Sequence, residues 1–214
     1  MKASSGAVEG VRIDPDALEV SLQTIDDAEP KGLCGSGIVD IVAEMLKGEV
    51  IDERGIIEAD SSRVGINKDG EREFVVVQAG KAGPADIVVT QGDIREIQLA
   101  KGAIRAGVSI LMQKMGLQPE QIKHLYIAGA FGTYINPASA RVIGMIPNVP
   151  LNIVSSVGNA AGTGARMALI LSKARKMCEK ISNGVEYVEL AAHPTFIPSL
   201  SNPFAFPVER IRKF

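Results

Sequence analysis

Tryptophan is absent from this 214-residue chain, and aromatic residues make up only 4% of it. That leaves too few flat rings for a base-stacking nucleic-acid platform. Charge of one sign is also lacking: the formal net charge is −2, so no basic field draws the chain to DNA, RNA or acidic lipid. Cys34 and Cys178 are the two cysteines. They cannot supply a disulfide framework, a four-thiolate zinc site or an iron–sulfur cluster, and a reduced, cytoplasmic setting fits them. His124 and His193 are the two histidines, and neither a Ser–His–Asp arrangement nor a zinc-binding His-Glu-x-x-His can be built. No run approaches the ~18 apolar residues of a membrane span, and MKASSGAVEG at the N-terminus has no signal-type apolar core.

What is present is an ordinary globular composition, 46% hydrophobic and 22% charged, with 22 glycines, many of them clustered. Glycine placed this way lets backbone approach backbone, or a ligand. Residues 7–13 and 18–25 alternate apolar and polar and read as paired strands, followed by a loop over 26–33. Apolar positions from Gly35 to Lys47 recur at helical spacing, and Gly48 ends that helix. Residues 52–72 are turn-rich, with Asp69-Gly70 a hairpin turn. Short strands are predicted at Phe74–Val77 and Ile87–Thr90.

Asp93, with Glu96 three residues on, reads as the N-cap of a long helix. Its stripe is Ile94, Ile97, Ala100, Ile104, Val108, Leu111 and Met115, and Gly116 closes it. Leu117–Ile122 reads as a short helix. A buried strand at Leu125–Ala128 leads into a glycine turn, Gly129–Gly132, and a helix at Pro137–Val142. A second strand, Leu151–Val157, leads through Gly158-Asn159 into a helix from Ala160 to Glu179. Tyr187–Leu190 reads as a third strand, and the tail from His193 as irregular. Strand, glycine turn and helix in repetition is the pattern of a doubly wound α/β domain. The expected division is a strand-rich part with one helix at 1–90, a nucleotide-binding α/β part at 91–190 and a tail at 191–214.

Each motif has a functional and a structural reading. Gly35 and Gly37 open a helix whose free N–H groups could hold an anion; alternatively they permit close packing. Cys34 beside them reads as a small buried residue. Gly129, Ala130, Phe131 and Gly132 lie where α/β sheets bind ligands, and small residues there let the chain pass close to a flat ring; the alternative is a tight turn with Phe131 in the core. Asn159 stands where an N-cap is needed. Gly158 and Asn159 are candidate contacts, whereas Gly162 and Gly164 read as packing glycines. Gln98, Lys101 and Arg105 line one side of the long helix; they could reach a ribose or base, or form a solvated face. No GxxxxGK[ST], metal-type acidic cluster or strand-borne Asp-x-Gly occurs.

Four segments in this order, KGLCGSGIVDIVAEML, DIREIQLAKGAIRAGVSIL, HLYIAGAFGTYINPASARVIGMIP and VGNAAGTGARMAL, resemble the C-terminal part of the reductive activators of corrinoid proteins. That family includes the methylamine methyltransferase activators of methanogens. Its large domain belongs to the superfamily of acetate and sugar kinases, heat-shock chaperones and actin. The resemblance implies an actin-like ATPase (ribonuclease H-like) α/β lobe, a mixed sheet with helices on both faces, present as a partial domain. It matches Gly129, Ala130, Phe131 and Gly132 to an adenosine-type turn and Gly158 and Asn159 to a second conserved turn. It matches Gln98 and Lys101 to a helix that can face the nucleoside. It implies ATP with Mg²⁺ as cofactor, and an iron–sulfur cluster in a part of the family's proteins not represented in this sequence. Implied partners are a corrinoid protein, restored to Co(I), and the upstream half of the same ATPase domain, which carries both Asp-x-Gly hairpins. A homodimer stays open. So do two other readings: a subunit needing a partner chain for ATPase activity, and a non-catalytic interaction or regulatory module. Isolated, the segment is expected to be inactive as an ATPase.

Overall fold

A computed structural model describes residues 1–81, 83–194, 196 and 205–207. Two three-stranded sheets and a two-stranded sheet stand where the sequence pattern suggested one doubly wound sheet. In the first, β1 (Ala7–Ile13) pairs antiparallel with β2 (Val20–Thr24) and parallel with β3 (Gly32–Leu33), so the sheet is mixed. Val11 and Ile13 are buried, as the alternation requires, and the adjacent Ala7 and Val8 are both buried, ahead of a register shift between Val8 and Gly10.

Helix α1 (Gly35–Lys47) lies against β1. A Cβ at Gly37 would stand 2.1 Å from the Val8 carbonyl oxygen, so glycine alone permits this approach. β3 covers only the first residues of β1, and α1 meets the remaining edge with carboxylates. The Ile13 N–H donates to Glu44 Oε2 at 3.2 Å, and the Val11 N–H and the Ser139 hydroxyl donate to Asp40. Two acids one turn apart thus satisfy backbone donors that a further strand would otherwise take.

The second sheet is an antiparallel meander of β4 (Val64–Ile66), β5 (Arg72–Val77) and β6 (Ile87–Thr90). Its β4–β5 connection is the expected Asp69-Gly70 turn: Gly70 has φ +78°, and Asn67 Oδ1 accepts from the Asp69 and Glu71 N–H groups. Phe74, Val76 and Val89 carry this sheet into the same core as β1, α1 and Phe206.

Helix α2 (Gln91–Lys114) starts earlier than expected. Its cap is Thr90, whose hydroxyl accepts from the Asp93 N–H while Asp93 Oδ2 accepts from the Thr90 N–H. β6 runs directly into the helix, which moves Asp93 to the third helical position. The buried face also differs. Ile94, Gln98, Lys101, Gly102, Ala106, Gly107 and Ile110 point inward, whereas Ile104, Leu111 and Met115 of the expected stripe are exposed. The small residues allow close approach on the inner side, and much of the apolar stripe is left unpartnered.

Residues Pro119–Gln121 form only a single 3₁₀ turn. β7 (Leu125–Ala128) pairs parallel with β8 (Val154–Gly158); Leu151–Ile153, predicted as strand, is another 3₁₀ turn. Between the strands lie α3 (Ala130–Tyr134) and α4 (Pro137–Val142), the latter capped by Asn136. The helix expected over 160–179 is two helices, α5 (Ala160–Ile170) and α6 (Ser172–Gly184), parted by Leu171 in an extended conformation. Residues 187–190 pair with no strand among the described residues, and Leu190 packs toward Gly107 of α2 instead. Most of the 191–214 tail falls outside the described residues. Among those described, no helix is long and apolar enough to cross a membrane.

α5 and α6 bury none of their side chains. Met167, Leu169, Ile170, Met177 and Ile181 are all about half exposed or more.

Candidate functional site

The parallel pairing of β7 and β8 places two strand-to-helix turns side by side. β7 ends at Ala128 and β8 at Gly158, which are register partners. The Gly129 N–H donates to the Gly158 carbonyl at 2.8 Å, tying the turns together. Gly129 has φ +99° and Gly158 φ +61°, conformations that side chains with a Cβ resist. A Cβ on Gly129 would meet nothing within 4 Å among the described residues. Gly132 is different: its Cβ would lie 2.7 Å from Ile127 Cγ2, and this glycine lets α3 fold back on β7.

Side-chain bonds brace both turns. Thr133 Oγ1 donates to the Gly129 carbonyl at 3.0 Å, and Ser156 Oγ to the Gly132 carbonyl at 2.8 Å. Asn159 is the predicted N-cap of α5, its Oδ1 accepting from the Gly162 N–H at 2.9 Å. The site is therefore built from Gly129, the α3 backbone at Ala130–Gly132, Gly158 and the start of α5. A cradle at the carboxyl ends of parallel strands, with backbone N–H groups beside it, suits a nucleotide's flat ring and polar tail.

Other candidates lie elsewhere. Gly37 is used in packing on Val8. Gly35 and Cys34 line a separate cavity of about 560 Å³ with Lys31, Asp86 and Asp93, and Cys34 is buried with its thiol beside the Val8 carbonyl and the Ser36 hydroxyl. Gln98 and Lys101 form no solvated face. Gln98 Nε2 donates to the Arg54 carbonyl at 2.9 Å. Lys101, 1% exposed, donates to the Ala205 carbonyl at 2.6 Å and stands 4.9 Å from the centre of the Phe206 ring. Neither of these contacts is with the glycine turns. Burial, reinforced by the neighbouring Arg105, pushes the Lys101 pKa down from 10.5 to about 8, and burial also lowers that of Arg105. Gly162 and Gly164 pack against no second helix among the described residues: Gly162 faces its own cap residue, and Gly164 faces open space.

Sequence reasoning missed Asp40 and Glu44. Both are buried on α1; two acids four residues apart in an otherwise apolar helix were the available signal. No group of three or more His, Cys, Asp or Glu is placed to hold a metal ion among the described residues.

Residues 1–214 match the family described as the C-terminal domain of RACo, the ASKHA domain. The chain belongs to that family. It is 35% identical over 206 residues to the corrinoid activation enzyme RamQ of Eubacterium limosum, an alignment covering 92% of this chain and 34% of that protein. It is 30% identical over 175 residues to the [Co(II) methylated amine-specific corrinoid protein] reductase of Methanosarcina barkeri, covering 78% and 28%. The solved reductive activator for corrinoid, iron–sulfur protein superposes with a TM-score of 0.89 at 37% identity, over 97% of this chain and 33% of that one. The chain thus spans about a third of the relatives it matches. The actin-like α/β fold class expected from the sequence holds.

Proposed function

We propose that this ASKHA-family domain is the ATP-binding part of an ATP-dependent reductive activator that restores Co(I) in a corrinoid protein of methyl transfer. The observation that carries the reading is the paired glycine turn, Gly129 bonded to Gly158, in a chain whose relatives are corrinoid activators. The turn would let an adenine ring lie against backbone, while Asn159 fixes the start of α5 beside it. ATP with Mg²⁺, when bound, supplies the phosphoanhydride whose binding or cleavage drives uphill electron delivery from an iron–sulfur centre elsewhere in the protein.

The chain's own contribution is binding and positioning. Mg²⁺ and an attacking water need charged groups placed around the phosphates, and no strand-borne Asp-x-Gly stands in this sequence. Those groups belong, in this reading, to the upstream half of the domain. The exposed apolar faces of α5 and α6 support it, being surfaces that such a half would cover. Nucleotide-driven movement between the halves would then alter the hold on the corrinoid protein.

Titration of the chain with ATP or ADP tests the reading. Binding that is present in the wild type and lost in a folded Gly129→Val protein is the expected result. Equal affinity in the two removes the turn from the site. Absence of binding altogether favours a non-catalytic interaction module with structural glycines.

A further inference from the structure

β8 holds the Gly129–Gly132 turn at two points. Gly158 supplies the first, its carbonyl accepting from the Gly129 N–H at 2.8 Å. Ser156 supplies the second: its hydroxyl donates at 2.8 Å to the Gly132 carbonyl, at the far end of the turn. The register of the two strands sets this spacing. Ile127 stands opposite Ser156, but Ala128 stands opposite Gly158, so Val157 is an extra residue in β8. A bulge of this kind re-aims the groups beside it. On one side of it the strand presents a carbonyl to Gly129, and on the other a hydroxyl to α3.

What this hydroxyl holds has little stability of its own. α3 is five residues long, Ala130–Tyr134, and a helix of little more than one turn does not persist unaided. The carbonyls of its last four residues have no partner within the helix, and that of Gly132 is one of them. The start of the turn is tied back on α3: the Gly129 carbonyl accepts from the Thr133 N–H at 3.1 Å and from the Thr133 hydroxyl at 3.0 Å. Ser156, Gly132, Thr133, Gly129 and Gly158 thus close a ring of hydrogen bonds that begins and ends on β8. Gly129 and Gly158 both have positive φ, and glycine left untied samples many other conformations. Ser156 is the side chain of this ring that reaches from the strand to the helix.

Resting on the nucleotide reading above, we propose that Ser156 is a positioning residue: acting through Gly132, its hydroxyl holds α3 and the Gly129–Gly132 turn in the arrangement that receives the adenosine end of the nucleotide. An untied turn spends part of its time in other shapes, and apparent affinity falls in proportion to the receptive fraction.

The test compares Ser156→Ala, Ser156→Thr and Ser155→Ala with the wild-type 214-residue chain. Each is titrated with ATP by calorimetry, well below the melting temperature read by circular dichroism, and hydrogen exchange is followed at the Ala130–Tyr134 amides. Ser156→Ala is expected to bind ATP about 3- to 10-fold more weakly, the equivalent of one hydrogen bond, and to exchange those amides faster. Ser156→Thr keeps the hydroxyl and restores both. Ser155→Ala, at an exposed neighbour on the same strand, changes neither. A role in stability alone shifts the melting temperature and leaves the affinity of the still-folded protein unmoved. Equal ATP affinity in Ser156→Ala and the wild type therefore overturns the proposal, as does a loss of the same size in Ser155→Ala. Failure of the wild type to bind ATP is a different result: it removes the nucleotide reading and, with it, the ligand for which Ser156 positions the turn.

Discussion

Replacing Lys101 with methionine tests how the described part of the C-terminal tail is held. The ammonium is almost wholly buried, donates to the Ala205 carbonyl and faces the Phe206 ring, while the Phe206 N–H donates to the Glu53 carbonyl. Burial lowers its pKa from 10.5 to about 8, and at ~1.4 kcal/mol per pH unit the protonated form costs the fold about 3 kcal/mol near neutrality. Methionine removes that cost but also forfeits a charged hydrogen bond of ~1.5–3 kcal/mol and a cation–π contact of ~0.5–2 kcal/mol. These terms nearly cancel at pH 7, so stability there changes little. The pH dependence does not cancel. A depressed folded pKa means the unfolded chain binds the proton more tightly. Lys101 therefore adds stability as pH rises from about 8 to the unfolded value of 10.5, and that gain is lost as pH falls back through about 8. Urea unfolding of both proteins at several pH values between 7 and 10.5 isolates this group, because every other titration is shared. The wild type should gain on Lys101→Met by up to about 3 kcal/mol across that window. A difference that stays constant with pH refutes the reasoning.

Gly37→Ala should destabilise the chain by about 1–3 kcal/mol through its clash with the Val8 carbonyl, whereas Gly164→Ala, facing open space in α5, should be neutral or gain up to about 1 kcal/mol; denaturant midpoints distinguish the two. Glu44→Gln should lower stability by about 1–3 kcal/mol, because the Ile13 N–H and Lys47 both lose a charged acceptor; a melting temperature equal to the wild type's would mean the β1 edge is satisfied in another way. Phosphate release assays on the isolated chain should show no ATPase above background, and activity should appear when the upstream half is supplied in cis or as a second chain. A Mg²⁺-dependent ATPase that co-elutes with the chain alone and disappears in Gly129→Val would contradict this.

Much of the chain was legible because its signals are local. The hydrophobic spacing from Gly35 to Lys47, closed by Gly48, set the bounds of α1. Asn159 marked the start of α5 through its own side chain, and β7 announced itself as a short apolar run entering Gly129. The glycine turns of the candidate site belong to this group, since a positive φ is a requirement on one residue. The four ordered segments that resemble corrinoid activators carried the family.

Other features depend on what lies opposite in space, and no spacing rule contains that information. The stripe from Ile94 to Met115 gave the inner face of α2 only in part: Ile94 is buried and Ile97 packs on the core, but Ile104, Leu111 and Met115 are exposed, and the buried face beyond them carries Gly102, Ala106 and Gly107 instead. Gln98 and Lys101 read as candidates for a ligand or for solvent. They turned instead to carbonyls at Arg54 and Ala205, far away in sequence. Asp40 and Glu44 carried no reading in the sequence; their role comes from β1, which runs past them with an uncovered edge. Helix caps and turns are decided by a residue and its immediate neighbours. Which face is buried, and which buried polar group finds a partner, is decided by the elements packed against it, and that only the tertiary structure supplies.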